Sequence, residues 1–437
     1  MKTLEAFVCG AVIAGMSMSA LATVLHVPSE YPSIQAGIDV AIEGDTVLVA
    51  NGTYTGPPNR NLDFGGVNMV VMSENGPEVT IIDCEQSGRG FYFHSGEDAS
   101  SVVQGFTITK GFAGDTGGGG IACCLWSDPT IEGNTISGNW ASWGGGIYCD
   151  RSSPTIEGNA ITENEVYNWY DEGRGGGISL YMGSPTIKGN TITENTASGE
   201  YGGSGGGIYC GSSSPTIEGN TISGNTAVWR DGGGIRCYQS SPTMVNCILW
   251  DNSPDEIEGT PVVTYSDIQG GWPGEGNIDA YPRFVKESWG DYRLRWGSPC
   301  IDTGHPDSLD PDGTRCDMGA HLFDQSKTLV TYATPEAHTL VQGQTYQVLY
   351  TLVNCHGDPQ PARGIVRLTL PNGQTWPWNP LEGPGYGVMP PEFNWQYVRE
   401  YDVPAITPLG TWGFTWKVGM PGELFDRDSF RFRVVEP

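Results

Sequence analysis

The sequence predicts an all-β protein in two parts: a solenoid of stacked short strands, then an Ig-like β-sandwich. Three observations carry that prediction. First, one phrase recurs five times between Gly117 and Asn252, with its prolines at Pro129, Pro154, Pro185, Pro215 and Pro242. The spacing is 25, 31, 30 and 27 residues, a period that marks a repeat architecture. Second, apolar and polar residues alternate with period two inside each repeat, which is the pattern of half-buried strands. Third, the texture changes at Lys327: triple glycines and Gly-Asn turns give way to longer alternating stretches separated by Pro and Gly.

One repeat, Gly145 to Asn164, shows how the elements follow. Ile147 and Cys149 flank Tyr148 in a first strand, and 150–153 is a turn. Pro154 leads into a second strand, Thr155 to Glu157, a position that tolerates its missing N–H. Gly158-Asn159 breaks the chain and Ala160 to Thr162 is a third strand, after which Glu163-Asn164 opens a loop of variable length. Stacking equivalent strands gives one coil per repeat, about ten in all. The predicted inward columns are Ile121, Ile147, Ile178, Ile208, Ile235; then Ile131, Ile156, Ile187, Ile217, Met244; then Ile136, Ile161, Ile192, Ile222, Ile248. A fourth column holds Cys123, Cys149, Leu180, Cys210 and Cys237, and its leucine marks an apolar slot. Neighbouring rungs lie within disulfide range, yet the slot favours buried free thiols. Cys300 and Cys316 bracket one loop and form the best disulfide pair.

Asn134, Asn159, Asn190, Asn220 and Asn246 fall in the turn after the second strand, and Asn139, Asn164, Asn195, Asn225 and Asn252 end the third. Stacked amides at one rung spacing can hydrogen-bond along the stack. At the N-terminal end, YPSIQAGIDVA at 31–41 reads as a short helix capped by Ser33, with Ile34, Ile38 and Ile42 on one face. It would cover an open sheet edge.

On these residues the chain resembles the right-handed parallel β-helix proteins of the pectate-lyase-like superfamily. The opening at 31–54 is similar to the family's, and segments 276–285, 290–294, 297–302 and 310–320 resemble the closing segment of secreted choice-of-anchor Q proteins. The resemblance implies the fold and leaves activity open, because such solenoids host lyases, hydrolases, esterases, epimerases and non-catalytic surface proteins.

Composition narrows the partners. The chain has 437 residues, 64 glycines and a net charge of −28, which excludes a nucleic-acid partner. Residues 327–437 hold 8 basic and 10 acidic residues, so about −26 sits on the solenoid. Lys2, the apolar run 7–18 and Ala20-Leu21-Ala22 read as a signal peptide over 1–22. The mature chain would then be secreted or on the cell surface, with the solenoid over 23–326 and the sandwich over 327–437. No later stretch is long and apolar enough to span a membrane, and a monomer is expected.

The variable loop is where function is expected, because loops from equivalent positions of a solenoid share one face. It contains Trp140, Trp143, Tyr167, Trp169, Tyr170, Tyr201 and Trp229, beside Tyr148, Tyr209 and Arg236 on the outward face of the first strand. Such rings can form a stacking platform for a polysaccharide or cell-surface glycan; each can also fold back over its own loop. Glu165, Asp171 and Glu172, with Arg174, Arg230 and Arg236, are the candidates for a hydrolase pair or a calcium-assisted lyase. The Asp-Asp and Gly-His-Gly signatures of polygalacturonases and the Arg-x-Pro-x-x-Arg of pectate lyases are missing, and the repeats contain no histidine. Three readings therefore stand: a glycan binder or adhesin, an enzyme in the same groove, and a structural spacer. Asp307, Asp310, Asp312 and Asp317 either bind calcium or form a solvated turn; Gly319 stands where an EF-hand needs its bidentate Glu. No other cofactor is implied.

Overall fold

The computed structural model describes residues 22–229 and 231–437. The signal segment therefore lies, except for its last residue, outside the described residues, as does Arg230. From Val24 to Ile268 the chain winds into a parallel β-solenoid. The second strands form a ten-stranded sheet from Val24–Val27 to Val262–Thr264. The third strands form a nine-stranded sheet from Gly52–Tyr54 to Asp267–Ile268. The first strands form only seven rungs, from Phe91–Phe93 to Ile257–Glu258. There are thus about seven full turns rather than ten, because the earliest coils lack the first sheet.

The predicted register holds through the first four repeats. Ile147 pairs with Ile121 and Ile178, Cys149 with Cys123 and Leu180, and Ile156 with Ile131 and Ile187. All of these side chains are fully buried, each contributing roughly 1.5–3 kcal/mol. The slot cysteines are free thiols. The predicted Cys300–Cys316 disulfide does not form. Cys300 Sγ donates to Asp267 Oδ2 at 3.1 Å, while Cys316 Sγ donates to the carbonyl of His305 at 3.5 Å.

The asparagine columns are continuous hydrogen-bond ladders. Asn195 Oδ1 accepts from the backbone N and Nδ2 of Asn164, both at 3.0 Å. Its own Nδ2 donates to Ile161 O at 2.8 Å and Asn225 Oδ1 at 2.9 Å. The Asn190 column is built alike. Every amide is saturated by its neighbours, so the buried polar column has no unpaired group to desolvate.

In the fifth repeat the register differs by one residue from the expectation. Met244 pairs with Ile217, but Ile222 pairs with Leu249 and Thr221 with Ile248. Asn246 therefore occupies the glycine position, with φ 56° against 59° for Gly219. Cys247 takes the asparagine slot, its Sγ donating to Ile217 O and Val245 O. Asn suits the left-handed position as well as the ladder, which is why the aligned phrase misplaces it. Ile248 turns outward and packs in the cluster of Phe284, Tyr292 and Met318.

The triple glycines have two separate causes. The first of each set, such as Gly175 at φ 68°, sits in the left-handed region. The next two have no room: a Cβ on Gly176 or Gly177 would lie 2.6 or 2.7 Å from a carbonyl oxygen of the following coil.

Residues 34–38 form the expected helix, with Ser33 Oγ accepting from Ala36 N at 3.2 Å. Ile34 and Ile38 are buried over the end of the stack, but the helix is too short to carry Ile42 inward, and that side chain is exposed. At the other end, residues 269–326 fold back along the third sheet. Ala320 N donates to Thr221 Oγ1, His321 Nε2 meets Thr191 Oγ1, and His305 N donates to Asn246 Oδ1. The small outward residues Thr193, Thr221 and Ser223 are buried beneath this segment.

The C-terminal part is a β-sandwich of a three-stranded sheet (Val330–Pro335, Thr345–Asn354, Phe393–Asp402) and a five-stranded sheet. The second comprises Thr339–Val341, Gln360–Thr369, Glu382–Met389, Gly410–Met420 and Glu423–Val435. Arg293 joins the closing segment to it, with Nη2 on Asp291 and Nη1 on Asp428, both at 2.7 Å, and its guanidinium over the Tyr332 ring. This pairing holds the Asp291 carboxyl below its ordinary range against the effect of burial.

Candidate functional site

The variable loop is more ordered than its sequence suggests. In four coils it contains a fourth short strand: Trp140–Ala141, Glu165–Asn168, Thr196–Gly199 and Thr226–Ala227 stack in parallel. Ala141, Val166, Ala197 and Ala227 fill its inner column and are buried. Each coil of this region therefore has four strands, not three. The signal was the single small or β-branched residue two positions after each second asparagine, too short a pattern to separate from loop.

That extra sheet fixes the loop tips. Asn168 pairs with Gly199 and Gly173 with Gly203, so the tips 169–172 and 200–202 are held side by side from both ends. Gly203 N donates to Val228 O, which sets Trp229 on the next tip. Trp169, Tyr170, Tyr201 and Trp229 thus emerge from three consecutive coils on one flank, with exposures of 59, 79, 62 and 86%.

The other predicted rings cover structure. Trp140 stacks on Phe112 at 4.7 Å with 10° between planes, and Tyr167 leans on Trp169 at 4.5 Å. Tyr148 lies over Gly117, whose missing side chain leaves the space. Trp143 is half-buried between Gly117 and Arg174 on the rim of the first sheet. Tyr209 is buried, with Arg174 at 5.6 Å from its ring centre. Sequence reasoning missed Trp126, Tyr181 and Tyr238, which are exposed at the far end of the first strands. They follow the cysteine slot by one to three residues, a position read as turn.

The acid and arginine candidates are mostly engaged with one another. Arg174 Nε lies 3.4 Å from Glu172 and Nη2 3.5 Å from Asp171, while Ser204 Oγ donates to Glu172 Oε1. Arg236 pairs with Glu258 at 2.7 Å. Glu165 stands apart in the fourth sheet between Trp140 and Thr196. Glu172, Arg174 and Arg236 surround Tyr209, yet burial raises that phenol, which makes it a poor base. Asp171 and Glu172 are thus both engaged by Arg174, whereas glycosidic hydrolysis ordinarily uses a pair of carboxyl groups flanking the bond.

Three of the four aspartates near 310 brace the closing segment. Asp310 Oδ2 accepts from Asp317 N, Asp317 accepts from the amides of Asp302 and Phe323, and Asp312 accepts from Thr314 and Gln325. Asp307 sits on the turn after His305. Burial raises Asp317 to about 7. Among the described residues no group of three His, Cys, Asp or Glu side chains is arranged to hold a metal, and no helix is long and apolar enough to cross a membrane.

Residues 60–210 match the family model described as right handed beta helix region, which agrees with the parallel stacking and makes the solenoid a right-handed β-helix. No curated protein matches the chain. Among solved structures, the sporulation control protein Spo0M of Bacillus subtilis is 13% identical with a TM-score of 0.20, over 24% of this chain and 49% of its own. The CARDB domain of the PF1109 protein of Pyrococcus furiosus, in complex with di-metal ions, is 14% identical with a TM-score of 0.20, over 25% and 89%. A Niemann-Pick type C2 protein from Japanese carpenter ant is 12% identical with a TM-score of 0.17, over 22% and 79%. The chain thus spans about half the length of the Spo0M structure.

Proposed function

We propose that this is an exported or cell-surface monomeric protein that binds a glycan along the loop flank of its solenoid. The supporting observation is the row of exposed rings, Trp169 and Tyr170, Tyr201, then Trp229, on tips that the fourth sheet and its flanking pairs hold in register. Aromatic faces pack against the apolar faces of sugar rings, and a rigid scaffold lowers the ordering cost of binding. The solenoid's charge of about −26 disfavours an anionic polymer, so the ligand is a neutral or amino-sugar glycan.

The test is retention of the protein on a broad glycan array. The wild-type chain is expected to bind, and the W169A/Y170A/W229A variant to lose at least about tenfold in affinity. Equal retention of the two would overturn the assignment. An ultraviolet assay for unsaturated uronate and a reducing-end assay would detect a lyase or hydrolase, and both are expected to stay at background.

A further inference from the structure

One interior column of the solenoid departs from the pattern of the others. The isoleucine column of the first strands repeats one side chain from Ile121 to Ile235, whereas the slot beside it runs Phe93, Cys123, Cys149, Leu180, Cys210, Cys237. Leu180 divides the four cysteines into two neighbouring pairs. Each cysteine therefore has one cysteine partner in the column and no choice of another. Cys123, Cys149 and Cys210 are fully buried, and Cys237 is buried as well.

The thiols within each pair meet. Cys123 hydrogen-bonds Cys149, and Cys210 hydrogen-bonds Cys237. Other buried thiols of the chain find oxygen: Cys247 donates to Ile217 O, Cys300 to Asp267 and Cys316 to His305 O. Sulfur is a weak donor and a weak acceptor, so a thiol–thiol contact offers little in place of those bonds. In-register neighbours on parallel strands lie about 4.7–4.9 Å apart, inside the roughly 4.4–6.8 Å that disulfides span between Cα atoms.

We infer that the slot holds two oxidation sites: Cys123 with Cys149, and Cys210 with Cys237, close as disulfides when the chain folds in the presence of a small disulfide oxidant, and the structure shows their reduced form. In each pair one thiolate attacks the oxidant's S–S bond, and the partner thiolate then displaces the mixed disulfide. One S–S bond forms in the protein and one breaks in the oxidant, which leaves as two thiols carrying the two cysteine protons. Burial sets the order of events. The stacked coils hide the sulfurs; burial raises the Cys123 thiol well above its ordinary range, and contact with Cys237 does the same to Cys210. Little thiolate is then present to react, so oxidation accompanies the closing of the coils. Each bond ties adjacent coils together, and the second encloses the loop that carries Trp229.

Cell-free synthesis of the full chain in a buffer of oxidised and reduced glutathione, followed by alkylation in denaturant and peptide mass mapping, tests this. The expected products are two linked peptide pairs, Cys123–Cys149 and Cys210–Cys237, with Cys124, Cys300 and Cys316 alkylated. Chain folded in reductant and given oxidised glutathione afterwards should form these links at least about tenfold more slowly. Cys149→Val, which keeps an apolar side chain in the slot, should leave Cys123 alkylated and the Cys210–Cys237 bond intact. The inference fails if all four slot cysteines alkylate, or if the bonds that form join other cysteines. It fails equally if the folded reduced chain oxidises as fast as the folding one, or if the Cys149→Val chain still protects Cys123.

Discussion

The solenoid and the sandwich are both all-β, but they close their interiors in opposite ways. In the solenoid each residue stacks on its own equivalent, so isoleucine meets isoleucine and asparagine meets asparagine at one rung spacing. The interior columns are fully buried and hydrogen-bonded in both directions. In the sandwich no residue faces its own copy. Aromatic rings of different size meet at varied angles, and space remains between the sheets. Repetition yields a filled core with no freedom, so specificity has to sit on the outer loops. A non-repetitive core can keep a cavity inside.

This contrast can be broken at its strongest point first. Asn195→Ala removes four ladder bonds, leaving Asn164 N without its acceptor and Ile161 O without the amide that donates to it, while Asn225 Oδ1 keeps only the backbone N of residue 195. We expect a loss of roughly 4 kcal/mol or more, read by urea unfolding of the solenoid. Arg293→Ala should cost about 2–4 kcal/mol by leaving Asp291 and Asp428 unpaired. Limited proteolysis should then release the sandwich while the solenoid stays intact.

A smaller effect is expected from pH. Burial raises Glu256 to about 7, Asp317 to about 7 and Asp267 to about 6. A carboxyl raised on folding favours the native state while protonated, so stability should be greater near pH 5 and fall as pH rises through 6–7. Carboxyls held low, such as Asp291 and Glu97, act the other way and only below about pH 4. Melting curves at pH 5 and 8 check the sign, and Glu256→Gln should flatten the difference. Least of all, Trp229→Ala should change stability by less than about 0.5 kcal/mol, because the ring touches little.

How much of this was legible in the sequence depends on the length of the pattern. The isoleucine and asparagine columns were readable because five copies fix them. The last copy misled, since Asn246 fits a left-handed turn as readily as a ladder, and only the pairing of Leu249 with Ile222 settles its place. The fourth strands were illegible because two to four residues cannot outweigh a loop composition. The burial of Thr193, Thr221 and Ser223 was illegible for a different reason: their partner lies about a hundred residues away. At the site, sequence identified the exposed tips but could not separate Trp169 and Trp229 from Trp140 and Tyr209, since stacking and burial are tertiary facts.

The division between a fixed interior and a functional flank is tested most directly by measuring thermal stability and glycan retention together on the W169A/Y170A/W229A variant. We predict a melting temperature within about 2 °C of wild type and lost retention. Retention unchanged, or a large drop in melting temperature accompanying its loss, would contradict that division.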